Sequence, residues 1–79
     1  MNKVLVKIYC PLIEEKIDVW LPLNKTIYNV IVLLSKTLDD LKEAEDIPLL
    51  YNRYTGVCYD VNQEIKDTDI KNGTELILI

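Results

Sequence analysis

Seventy-nine residues allow one domain at most, near the size at which a single core only just outweighs chain entropy. With 49% hydrophobic residues, 28% charged, two Gly and three Pro, the composition excludes a disordered chain. The net charge is −4 and the lysines are scattered singly, so the clustered positive stripe that nucleic-acid phosphates require is excluded too.

The chain opens on a period of two. Val4, Val6 and Ile8 alternate with Leu5, Lys7 and Tyr9, and Ile17, Val19 and Leu21 repeat the pattern against Asp18 and Trp20. Two strands are expected, joined through CPLIEEK, whose Pro11 and charges suit a loop longer than two residues. Lys7 interrupts the first apolar stretch too early for a secretion leader.

The period then changes to three and four. Ile27, Val30, Ile31, Leu34, Leu38 and Leu41 put an apolar stripe along about four turns of helix. Thr26 is the expected N-cap, its hydroxyl placed to accept from the amide of Asn29. The run Val30–Leu34 is the longest unbroken apolar segment, far short of the ~20 residues that cross a bilayer, so no direct membrane insertion is expected. Val32 falls off the stripe, on a face with Tyr28, Asn29, Lys36 and Asp40, and that face reads as solvated. The acidic stretch Asp39–Asp46 reads as a solvated helix end, and Pro48 closes the connection.

Leu49–Tyr51 and Val57–Tyr59 flank NRYTG, a hairpin signature in which Gly56 supplies a positive φ. Ile65 and Ile70 are spaced as anchors of a short turn or 3₁₀ segment. Asn72-Gly73 turns the chain into a final strand, Thr74–Ile79. The expected order is ββαβββ.

Several spacings resemble ubiquitin. TIYNVIVLL looks like the capped start of the ubiquitin helix, with Thr26, Ile27, Asn29 and Val30 on matching residues. YDVNQEIKDTDIKNGTELIL keeps the register of the matching ubiquitin segment without a gap, and Tyr59, Ile65, Ile70, Leu76 and Leu78 fall where that fold places core residues. The resemblance implies an α+β fold, a ubiquitin-like β-grasp with a mixed sheet of four to five strands on one helix, as a single domain over residues 1–79. Ubiquitin and the related sulfur carriers end in a mobile Gly-Gly tail, whereas this sequence stops at Ile79. The expectation is therefore a protein that is neither conjugated nor a sulfur carrier. Size and plain ending resemble the small YukD-like accessory proteins of bacterial type VII secretion. That implies a cytoplasmic, non-enzymatic protein whose partner is another protein, in the vicinity of membrane-associated secretion machinery.

If the strand residues named above point toward the helix, parity sends Leu5, Tyr9, Trp20, Ile77 and Ile79 outward. In the ubiquitin arrangement these would form one apolar patch flanked by Lys7, Asp18 and Arg53. Ubiquitin is recognised through an apolar patch on this face, and Ile79 falls on a matching position. Scattered surface residues and homodimer formation are the competing readings. A hetero-partner is preferred, because an apolar patch with an aromatic anchor and polar rim resembles a protein interface.

No enzyme is expected. The chain has no His and one Ser, Ser35, so no Ser-His or Cys-His pair can form within it. The paired carboxylates Glu14-Glu15 and Asp39-Asp40 lie on segments expected to be exposed, and no phosphate-cradling glycine motif occurs. Cys10 and Cys58 lack the spacing and the His of a metal site, and are expected as buried or half-buried strand thiols of a reducing cytoplasm. No cofactor and no metal are expected.

Overall fold

The computed structural model describes residues 2–38 and 48–79. The alternating segments form strands β1 (Lys3–Cys10) and β2 (Glu15–Pro22), paired antiparallel without a bulge from Lys3–Pro22 to Cys10–Glu15. A 3₁₀ turn, Pro11–Ile13, joins them. Pro11 begins it with a preset φ, and Glu14 closes it in the left-handed region, φ 53°, with its N–H donating to the Pro11 carbonyl.

Helix α1 (Ile27–Thr37) starts where Thr26 caps it: the Asn29 N–H donates to Thr26 Oγ1 at 3.1 Å. Ile27, Val30, Ile31 and Leu34 are buried, as their spacing predicts. The helix stops at Leu38, whose backbone is extended while its N–H still donates to the Leu34 carbonyl. The expected continuation of the stripe to Leu41, Asp40 and the acidic stretch Asp39–Asp46 lie outside the described residues. Val32 is partly buried rather than solvent-facing, and Tyr28 and Leu33 are exposed on this helix.

Strand β3 (Leu50–Asn52) pairs antiparallel with β4 (Glu75–Leu78), and β4 runs parallel to β1. The sheet order is β2-β1-β4-β3, a mixed four-stranded sheet with α1 contributing four buried side chains to the core. The expected strand Val57–Tyr59 does not form. Only an isolated bridge joins Tyr51 to Cys58, because Tyr59 turns into the core directly afterward. Its hydroxyl donates to Asp69 Oδ1 at 2.6 Å and accepts from Asn52 Nδ2 at 3.0 Å. Asn52 in turn accepts the N–H groups of Tyr54 and Thr55, which shapes the NRYTG turn, and Gly56 supplies its φ of 72°. The 3₁₀ segment Ile65–Asp67 carries buried Ile65, and Ile70 is buried beyond it.

The core contains Val6, Ile8, Leu21, Leu50, Leu76 and Leu78 from the strands, joined by the helix residues above. Val4, Ile17 and Val19 pack against it, partly buried. Cys10 is buried on β1 as expected, but Cys58 is exposed, a correction that follows from the missing strand. Both thiols are free.

Candidate interaction face

The face of the sheet opposite the helix carries the odd-numbered residues of β1, β3 and β4 and the even-numbered residues of β2. Register decides how they meet. Leu5 stands opposite Trp20 on β2, and the Lys3 ammonium lies 5.3 Å from the centre of the Trp20 ring. Trp20 is 45% exposed and Leu5 37%. At the other end, Tyr9 pairs with Ile77, and Ile77 pairs with Tyr51. Ile79 follows, 64% exposed, and its backbone exchanges hydrogen bonds with Leu49 in both directions, at 2.6 and 2.9 Å.

All five residues expected on this face are there, but they do not form one patch. Lys7 lies between Leu5 and Tyr9 on β1, opposite Asp18 on one side and Glu75 on the other. Arg53 continues the row: its N–H donates to the Glu75 carbonyl, and its Nη1 lies 2.9 Å from Glu75 Oε2. The charged residues therefore cross the middle of the face instead of rimming it. Opposite charges on neighbouring strands stabilise the pairing by ~0.2–1 kcal/mol each.

Tyr54 adds a second hydrogen bond, its hydroxyl donating to Glu75 Oε2 at 2.9 Å. This bond, then the Arg53 and Lys7 charges, holds the Glu75 carboxyl below its ordinary value, and the same bond to an anion pushes the Tyr54 phenol up. Beside the row, a hollow of about 370 Å³ is lined by Lys7, Tyr9, Lys16, Arg53, Glu75, Leu76 and Ile77. Three cations against one carboxylate make it a basic recess on a chain of net charge −4.

Tyr51 and Leu49 extend the Tyr9–Ile77 half, and the sequence reading missed both. Leu50 and Asn52 are buried, so parity sends Tyr51 outward. With Ile79 and the partly buried Tyr9 and Ile77, they make the larger apolar half, across β1, β4 and β3. Among the described residues no group of three or more His, Cys, Asp or Glu side chains is placed to hold a metal, and no helix is long and apolar enough to cross a membrane.

No family model matches the chain, and no curated protein matches it by sequence. Solved structures do. A chain of toluene 4-monooxygenase in complex with an inhibitor superposes with a TM-score of 0.80 at 10% identity, over 96% of this chain and 95% of that one. The ubiquitin-like domain of the Mycobacterium tuberculosis type VII secretion protein ECCD1 gives 0.68 at 18% identity, covering 100% of this chain and 99% of that one. A chain of an ESX-5 inner membrane complex gives 0.70 at 18% identity, matching all of this chain over 21% of its own length. The fold is a ubiquitin-like β-grasp, and the fold alone leaves the activity open.

Proposed function

We propose that residues 1–79 act as one non-enzymatic ubiquitin-like interaction module, an accessory component of a bacterial type VII secretion system in the cytoplasm. It docks a protein partner on the outer sheet face through Leu5, Tyr9, Trp20, Ile77 and Ile79, with Tyr51 and Leu49 added by the register. The observation that carries the reading is the Tyr9–Ile77–Tyr51 row, three apolar side chains in line across three strands and facing away from the core. An apolar row beside a basic recess suits a partner that presents an apolar side chain flanked by a carboxylate. Similarity to the ECCD1 domain and to a chain of the ESX-5 complex supports the secretion context.

The experiment is affinity capture from the native cell, comparing wild type with Trp20→Ala and Ile77→Glu. Recovery of secretion ATPase or membrane-channel subunits by wild type alone is the expected result. Recovery of an activating enzyme joined through a thioester would contradict it, because the chain would then work as a carrier. A second reading, a subunit or adaptor of another multi-component assembly, is favoured by the toluene 4-monooxygenase likeness. The same capture distinguishes it by the identity of what is recovered.

A further inference from the structure

Strand β2 is an open edge. It pairs with β1 over eight residues, and among the described residues no strand or loop bonds to its other side except at its end, where the Lys25 N–H donates to the Pro22 carbonyl at 3.4 Å. The Leu23 N–H donates to the Asn2 carbonyl at 2.7 Å, which sets the alternation of the ladder. Ile17, Val19 and Leu21 direct their backbone groups to β1, so Lys16, Asp18 and Trp20 direct theirs to the open side. The edge carries no bulge and no proline before Pro22. Two of the usual protections against strand addition are thus missing, and only the charged side chains remain.

Those charges have an order. Across the outer face the row reads Arg53, Glu75, Lys7, Asp18, alternating in sign, and it stops at the edge on an anion. A strand added beside β2 continues the row if it places a cation opposite Asp18. We propose that this strand is β2 of a second copy of the chain, antiparallel and centred on Ile17.

Register selects that centre. A twofold axis perpendicular to the sheet pairs residues of like parity, so the centre falls on one residue. Centred on Ile17, Lys16 of each copy faces Asp18 of the other, giving two opposite-charge pairs. The Lys16 and Asp18 backbones, both directed outward, bond each other, and the two Ile17 side chains meet on the helix side. Centred on Lys16 or Asp18, like charges face each other. Centred on Val19, Asp18 faces Trp20 and gains no cation. Pairing at Ile17 makes an eight-stranded sheet and leaves the outer face of both copies open to a further partner.

The test is sedimentation velocity over a concentration series, with Lys16→Asp and Asp18→Lys measured alone and mixed in equal amounts. Wild type is expected to dimerise, and each variant alone to dissociate with an affinity weaker by roughly an order of magnitude. The mixture restores the dimer, because every facing pair is again of opposite charge. A second measurement covers a variant that fails to fold. Two Ile17 Cα atoms in a non-hydrogen-bonded pair lie ~4.5 Å apart, within disulfide reach. In a Cys58→Ser background, Ile17→Cys should then oxidise to a linked dimer far faster than Val19→Cys. A wild type that stays monomeric, a dimer indifferent to both charge swaps, no restoration on mixing, or equal cross-linking at 17 and 19 would each overturn the proposal. So would a monomer whose edge is occupied by a strand of another protein.

Discussion

Lys7 stands between two carboxylates, with Asp18 opposite it on β2 and Glu75 opposite it on β4. This places the centre of an alternating charge row at the middle of the sheet and divides the outer face into a Trp20 half and an Ile77 half. Glu75 is the best-connected member of the row, receiving hydrogen bonds from both Tyr54 and Arg53.

The Tyr54 bond is the largest influence holding the Glu75 carboxyl below its ordinary 4.5. The fold therefore favours ionised Glu75. That contribution is present above pH 4.5 and is lost as pH falls through the lower native value. Tyr54→Phe should raise the Glu75 titration midpoint toward 4.5, read by carboxyl chemical shifts against pH. An unchanged midpoint would assign the lowering to Arg53 and Lys7 alone.

Tyr59 behaves in the opposite sense. Burial first, and its bond to Asp69 second, push the phenol up to about 12. The neutral form is favoured in the fold, so its stabilisation is complete below the ordinary 10.0 and is lost as pH rises toward about 12. Tyr59→Phe should remove that alkaline slope. It should also cost ~1–3 kcal/mol at neutral pH, since the buried Asn52 Nδ2 loses its acceptor. Ultraviolet titration combined with denaturant unfolding checks both. A Tyr59 phenol that ionises at the ordinary 10.0 would contradict the assignment.

Adjacent residues on β4 separate core from surface. Leu76 is buried and Ile77 faces outward. Leu76→Ala should destabilise by ~2–5 kcal/mol through the cavity it leaves. Ile77→Glu should cost far less, within ~1 kcal/mol, because Ile77 is only partly buried, on the outer face. A large loss of stability from Ile77→Glu would make that side chain structural and remove it from the interaction face.

Much of this was legible in the sequence because β1, β2 and α1 are long enough to show a period. Val6, Ile8 and Leu21 on the strands, and Ile27, Val30, Ile31 and Leu34 on the helix, are buried as their spacing predicts, and Thr26 caps as expected. Where elements are short the reading weakened. β3 has three residues, too few for alternation to announce Tyr51. Val57 and Cys58 resemble a strand beside a turn, but the demand of Tyr59 for the core and for its two hydrogen-bond partners limits the pairing to one bridge. The charged row was the largest omission. Lys7 and Glu75 are neighbours only through the parallel register of β1 and β4, which no local pattern encodes.

The outer sheet face is the surface a partner is expected to cover. Amide chemical shifts of the labelled chain, followed on titration with the partner recovered by capture, test this most directly. Shifts confined to the outer-face strands β1, β3 and β4 and to Trp20, lost in Ile77→Glu, are the predicted result. Shifts centred on the exposed helix face around Tyr28 and Leu33, with the outer face undisturbed, would contradict it.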